Sequence, residues 1–226
     1  MNIVARTHGI EVPDAPHFGP KMLESINAER FEKNEVRAGL AKFKPGSRML
    51  ELGAGSGIVG AVLAKNCGLE AVVSVEANPN LIEHIKGLHA HNGLADVIDV
   101  RHGVCFSDPD APETVDFFVR GNFLGSALEV KKKPEKAVKH QVPVIRYADL
   151  KAAFPHDVIM MDIEGGEREF LRDADLTGVN TVILEVHRDI YGREGMRDVR
   201  QSFAKAGMVM DEETSRPGVH VYVRGA

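Results

Sequence analysis

Residues 49–60 read MLELGAGSGIVG, an apolar stretch that runs into four glycines and then into the apolar start of a helix. Glycines at such a junction let the backbone turn sharply and let a ligand approach main-chain N–H groups at a helix N-terminus. Working outward, short β-branched runs alternate with longer amphipathic stretches, the pattern of parallel strands joined by crossover helices. A first strand is expected at Arg48–Leu52, with its helix running to about Lys65 before Asn66 and Gly68 punctuate the end. A second strand follows at 71–75. Pro79 then suits the first turn of a helix that stops before Asn92-Gly93, and a third strand is expected at 97–101. The run DVIMMD at 157–162 is nearly continuous in apolar residues, as in a strand buried on both faces. Helix 164–172, strand Thr181–Glu185 and helix 195–206 continue the rhythm. Two short alternating runs, Met208–Met210 and 219–223, read as a C-terminal antiparallel hairpin. The expectation is an α/β fold: a mostly parallel seven-stranded sheet with that hairpin and helices on both faces.

Two segments break the rhythm. Residues 1–46 are expected as an N-terminal helical segment of two pieces that could cover the sheet edge or the substrate mouth. Residues 106–142 are expected as a flap or hairpin insertion, with Phe117, Phe118 and Phe123 anchoring it and Lys131, Lys132 and Lys133 near its tip. All 226 residues are read as one domain, a length that can bury roughly 70% of its unfolded surface without a disulfide or metal staple. Cys67 and Cys105 are too few for a disulfide framework and have no zinc spacing, which fits a reducing cytoplasm. No signal peptide or run of eighteen apolar residues occurs, so no membrane partner is expected. A net charge of −5 argues against a protein devoted to neutralising nucleic-acid phosphates.

The glycine loop has two descriptions. Gly55-x-Gly57-x-x-Gly60 satisfies a dinucleotide fingerprint, with Glu76 near the distance of a ribose-binding acid. Glu51-x-Gly53-x-Gly55-x-Gly57 resembles the first motif of class I methyltransferases. A carboxylate at Glu51 would repel a pyrophosphate but can organise the turn and receive an ammonium through backbone or water contacts, which favours S-adenosylmethionine over NAD. Glu76 can accept hydrogen bonds from both ribose hydroxyls. The expected cofactor set is therefore Glu51, Gly53, Ala54, Gly55, Ser56, Gly57 and Glu76, with Ala77, Asn78 and Val104 on the adenine side.

The second chemical string is Asp162-Ile163-Glu164-Gly165-Gly166-Glu167. Asp162 ends a buried strand at the carboxyl edge, where open α/β sheets bind ligands, and Glu164 and Glu167 are placed in a first helical turn, three apart on one face. Such carboxylates can orient a hydroxyl, act as a base or hold a divalent metal; acids in a first turn also simply favour the helix dipole. With Phe170-Leu171 after it, TVILEVH downstream, and LGAGSG and VVSVEANP upstream, the string resembles the signature of the FkbM family of S-adenosylmethionine-dependent methyltransferases, over about residues 47–190. The chain departs from that family at Gly55-Ser56, Ala77 and Met160, where members often carry asparagine, proline and lysine. The resemblance implies a Rossmann-like fold and methyl transfer to an oxygen of a small-molecule acceptor, a sugar, polyketide or other secondary metabolite.

Three residues are the catalytic candidates. His187, just past the fifth strand, is the expected base because imidazole titrates near neutrality, with Asp162 or Glu185 orienting it and Glu164 beside it. If a metal is present, Asp162, Glu164 and Glu167 are its expected ligands. An NAD-dependent oxidoreductase and a non-catalytic binding module remain as alternatives.

Overall fold

The computed structural model describes residues 2–119 and 137–225. The chain opens with a feature the sequence reading lacks. In place of an all-helical segment, strands β1 (Ile3–Thr7) and β2 (Ile10–Pro13) form an antiparallel hairpin ahead of α1 (Pro20–Asn27) and α2 (Lys33–Lys42). Its two-residue turn has φ of 45° at His8 and 77° at Gly9, the left-handed pair that matches the twist of a hairpin. The Thr7 hydroxyl and His8 Nδ1, 2.9 Å apart, hold the less usual of the two residues in place.

The central sheet follows the predicted alternation: β3 (Arg48–Leu52), α3 (Ile58–Cys67), β4 (Ala71–Glu76), α4 (Ile82–His91) and β5 (Ile98–His102), then β9 (Val158–Met161), α6 (Glu167–Asp173), β10 (Thr181–Glu185), α7 (Arg188–Lys205), β11 (Met208–Met210) and β12 (Val219–Arg224). Seven strands lie in the order β11-β12-β10-β9-β3-β4-β5. The five from β10 to β5 are parallel, and β12 runs antiparallel to both β10 and β11. The expected terminal hairpin thus exists, with its second strand inserted between β10 and β11.

Side chains alternate between two cores, as strand geometry requires. Met49, Val72, Met160 and Ile183 face α2, α3, α4 and the N-terminal hairpin, where Val36, Val62, Ile85 and Val12 are buried. Leu50, Leu52, Ile159, Met161 and Leu184 face the opposite layer, packing with Phe170 of α6 and with Val199 and Phe203 of α7. Phe203 stacks on Tyr222 of β12 at a centroid distance of 3.8 Å, fixing α7 to the inserted strand.

Between β5 and β9 the insertion forms a second, three-stranded sheet: β6 (Val104–Phe106), β7 (Thr114–Val119) and β8 (Val138–Arg146), with β8 central, followed by α5 (Tyr147–Ala153). The antiparallel β7–β8 pair is the expected hairpin. Phe123 and Lys131–Lys133 lie outside the described residues. Among the described residues no helix is long and apolar enough to cross a membrane.

One helix starts later than its pattern suggests. Residues 164–166 remain in a loop, with φ of 53° at Glu164 and 102° at Gly165, and α6 begins at Glu167. Glu164 and Glu167 therefore do not share a helical face. A side chain at Gly165 would meet Ile190 at 2.7 Å, so the loop owes its close seating on α7 to glycine.

Candidate active site

The carboxyl ends of β3, β4, β9 and β10 share one edge of the sheet, and the glycine loop and the acidic string meet there. Gly53, Gly55 and Gly57 all have positive φ, at 84°, 55° and 76°. Gly53 is the joint between the two motifs: a Cβ there would overlap the carbonyl oxygen of Asp162. Glu76, 6% exposed, accepts hydrogen bonds from the Gly55 and Asn78 amides, each at 2.7 Å, and so ties the end of β4 to the loop. Its carboxylate retains further lone pairs for a diol. Ala54 and Ser56 are buried in the loop. Asn78 is buried with its side-chain oxygen accepting from the Asn80 amide. Ala77 and Val104 pack together against Phe117, Val119 and Val142, so the residues expected on the adenine side line one apolar patch.

Glu51 lies beneath the glycine loop. Its carboxylate is 1% exposed, accepts from the Ser74 hydroxyl and the Gly60 amide, and is pushed up to about 7 mainly by burial. A Cβ on Gly60 would run into that carboxylate. Glu51 therefore organises the junction of β3, β4 and α3 from beneath the loop, and Gly60 is glycine because that carboxylate occupies the space.

Asp162, at the end of β9, and Glu185, the last residue of β10, converge on His187, which directly precedes α7. His187 Nε2 stands 3.8 Å from Asp162 Oδ1, 3.6 Å from Glu164 Oε2 and 3.8 Å from Glu185 Oε2. The residue that orients the ring is Glu167, rather than Asp162 or Glu185. Its Oε1 lies 3.1 Å from His187 Nδ1 and accepts from the Ile163 and Gly165 amides, each at 3.2 Å, while the whole side chain is 0% exposed.

Charge follows from this crowding. Burial, with Glu164 next in effect, raises Asp162 to about 6 against the pull of His187. Burial raises Glu164 and Glu185 to about 7 each. Burial opposes the charge on His187, but the Glu167 hydrogen bond and the surrounding carboxylates outweigh it and bring the imidazole to about 9. The ring is thereby biased toward its protonated form, which disfavours His187 as the base.

Two further acids come from the N-terminal segment. Glu32 caps α2 and is raised to about 8 by burial and by Glu35, Asp162, Glu185 and Glu164. Glu35, 7% exposed, is raised by burial as well. Sequence reasoning missed both; the available signal was a pair of acids three apart at a helix start, in a segment expected to cover the mouth. Three other histidines are held in structural contacts: His89 Nε2 bonds to the Gly57 carbonyl, His91 to Glu11 and His102 to the Ala77 carbonyl. Tyr147 and Lys151 stand in the Tyr-x-x-x-Lys spacing used by some nicotinamide enzymes. On α5 both are spent on Asp175, and Tyr147 is 2% exposed, so they do not support the oxidoreductase alternative. A groove of about 850 Å³ lies elsewhere, between α6 and α7, lined by Arg168, Arg172 and Lys205 among others and by none of the candidate cofactor or catalytic residues.

The methyltransferase FkbM domain matches residues 51–210. A ribosomal protein L11 methyltransferase of Paraburkholderia xenovorans is 34% identical over 88 residues, 38% of this chain and 26% of the relative. One from Burkholderia lata is 32% identical over 118 residues, 49% and 36% of the two chains, so this chain spans about a quarter to a third of such relatives. Among solved structures, precorrin-6y C5,15-methyltransferase from Geobacter metallireducens superposes with a TM-score of 0.51 at 11% identity, covering 86% of this chain and 87% of that one. A candidate tRNA (m1A22) methyltransferase of Streptococcus pneumoniae, solved with S-adenosyl-L-methionine, gives 0.50 at 15% identity, covering 84% and 72%. At these identities the two structures establish the Rossmann-like fold alone.

Proposed function

Because the chain belongs to the FkbM family of S-adenosylmethionine-dependent methyltransferases, we propose that it transfers the methyl group to a hydroxyl oxygen of a small molecule, a sugar or other secondary metabolite. The observation that supports the proposal is the contact of Gly53 with the Asp162 backbone, which brings the glycine loop and a half-buried acid to one point of the sheet edge. In this reading Glu76 would hold the ribose, Ala77, Val104 and Asn78 the adenine, and the loop from Gly53 to Gly57 the methionine end. The acidic crevice beside that loop suits a cationic sulfonium.

The bound cofactor would supply an electrophilic methyl group to the acceptor oxygen and depart as S-adenosylhomocysteine, and Asp162 would accept the hydroxyl proton. Alignment can supply on the order of 7 to 11 kcal/mol of the barrier reduction. Asp162 is placed for proton acceptance because its side chain is partly open to the crevice, at 32% exposure, whereas Glu167 is sealed. His187 positions and balances the charge of that carboxylate, with Glu164 beside it. The α2 acids Glu32 and Glu35 border the same crevice and contribute to acceptor choice.

Methyl transfer from labelled cofactor to a panel of monosaccharides and hydroxylated metabolites, with peptides and tRNA as competitors, tests the reading. The expected outcome is label on a hydroxyl compound, and Asp162→Asn lowering kcat by about 100-fold or more while cofactor affinity is kept. Label appearing on peptide or tRNA alone would overturn the acceptor class. Undiminished turnover in Asp162→Asn would remove that residue from the chemistry.

A further inference from the structure

We propose that Asp162, Glu167 and His187 form a site for one divalent cation of the Mn²⁺ or Zn²⁺ class, at the place where the acceptor oxygen would bind. The location of the acceptor rests on the function proposed above; the cation site itself does not. Each of the three residues offers a donor atom, and these atoms all lie within 4.8 Å of one another.

Two buried atoms point to a missing ligand. Asp162 Oδ1 and Glu167 Oε2 are sealed from solvent and have no hydrogen-bond partner. A buried unpaired carboxylate oxygen costs on the order of 1 to 3 kcal/mol, and more when charged, so two in one cluster call for a counterpart. No side-chain cation other than His187 supplies it: among the described residues none of Asp162, Glu164, Glu167 and Glu185 is ion-paired with lysine or arginine. Four carboxylates against one imidazole leave an excess of negative charge that a divalent cation would reduce.

The spacing also fits. The three carboxylate oxygens around His187 Nε2, at 3.6 to 3.8 Å, are too far for hydrogen bonds. Ligands about 2.1 Å from a tetrahedral ion stand about 3.4 Å apart, and the donor atoms of the three residues lie within 4.8 Å, so they close by up to about 1.4 Å to complete coordination. Glu167 Oε1 stands 3.1 Å from His187 Nδ1, within the separation of two ligands of one ion, and Oε2 of the same carboxylate is unpaired. The cation takes the place of the proton between Nδ1 and Glu167. Two oxygens and one nitrogen suit a borderline cation better than Ca²⁺, which takes oxygen alone, or Cu(I), which prefers sulfur. Glu164 and Glu185, about one-third exposed, form the rim through which an ion and an acceptor oxygen would enter. The structure thus replaces Glu164 with His187 in the expected metal set.

The test is Mn²⁺ titration of the chelator-treated full chain, read by electron paramagnetic resonance of free Mn²⁺ and by metal analysis after dialysis. One Mn²⁺ per chain is expected, and Asp162→Asn and His187→Ala should each weaken it by roughly 10- to 100-fold. Glu167→Gln removes loop hydrogen bonds as well, so those two variants, with circular-dichroism melts as the check on folding, carry the test. Absence of Mn²⁺ and Zn²⁺ binding up to about 1 mM, the weak end for built divalent sites, would overturn the proposal, as would equal affinity in both folded variants. Binding of a simple alkylamine in place of the metals would also overturn it, by assigning the crevice to a cationic substrate. Calorimetry with S-adenosylmethionine on the same sample separates the two readings. Cofactor binding without metal sinks only the cation site, and metal binding without cofactor sinks the cofactor placement.

Discussion

Replacing Glu51 by glutamine should change how stability varies with pH. Glu51 is fully buried, and its carboxyl is raised from an ordinary 4.5 to about 7, with burial outweighing the Ser74 and Gly60 hydrogen bonds. The native chain therefore keeps a proton that the unfolded chain gives up. The stability due to that proton is complete below pH 4.5 and is lost as pH rises through about 7. At about 1.36 kcal/mol per pH unit the whole loss is about 3 kcal/mol, of which the range from about pH 5 to pH 8 samples about 2 to 3 kcal/mol. Glutamine retains an acceptor for Gly60 and for the Ser74 hydroxyl, but it does not titrate. Its unpaired amide lowers stability by a constant amount, while the difference between wild type and Glu51→Gln should shift in favour of the variant by about 2 to 3 kcal/mol across that range. Urea denaturation at a series of pH values reads this as a relative midpoint shift on the order of 1 M. Other raised carboxylates, such as Glu32 and Glu185, tilt both proteins alike and cancel in the difference. Parallel stability profiles for the two proteins would refute the claim that Glu51 is held protonated at the base of the glycine loop.

Glu76→Gln replaces a carboxylate that holds Gly55 and Asn78 by an amide with one acceptor oxygen. S-adenosylmethionine affinity by calorimetry should fall about 10-fold or more, in line with about 1.5 to 3 kcal/mol for a hydrogen bond to a charged group, and an unchanged affinity would remove Glu76 from the ribose site. Gly53→Ala combines a φ of 84° with an overlap onto the Asp162 carbonyl. The left-handed backbone alone costs about 1 to 2 kcal/mol, so with the overlap the melting temperature should drop by about 10 °C, and a wild-type melt would show that the two loops are not in contact.

The central sheet was legible because local chemistry and global packing agree there. The alternation of Met49 with Leu50, or of Met160 with Met161, is written in the chain, and positive φ at Gly53, Gly55 and Gly57 has a direct residue signature. The N-terminal hairpin was not legible because its turn places His8, rather than asparagine or aspartate, in the left-handed region, and the choice is settled by contacts with Thr7 and Glu29. The start of α6 was misplaced because acids and an apolar run resemble a helix entrance wherever they occur. Whether Glu164 joins the helix depends on Gly165 seating against Ile190, a contact across the β9–β10 crossover. At the site, Asp162 and His187 could be named from strand ends. The burial of Glu167 and the approach of Glu32 and Glu35 could not, since they depend on how α2 and α6 dock rather than on any spacing within one motif.

The insertion of β12 between β10 and β11 bears on how the crevice is made during synthesis. Strand β10 emerges roughly thirty residues before its neighbour β12, and among the described residues β11 pairs with β12 alone. A nascent chain that has reached β11 therefore presents the edge of β10 unpaired, with Val182 and Leu184 beside open backbone donors and acceptors, the kind of edge that invites wrong pairing. Arrival of Val219–Arg224 seals that edge and pairs with β11, while Tyr222 supplies the ring on which Phe203 of α7 stacks. The strand end that carries Glu185, with His187 just beyond it, is thus secured by a segment some thirty residues further along the chain, so assembly of the acidic crevice waits on completion of the sheet.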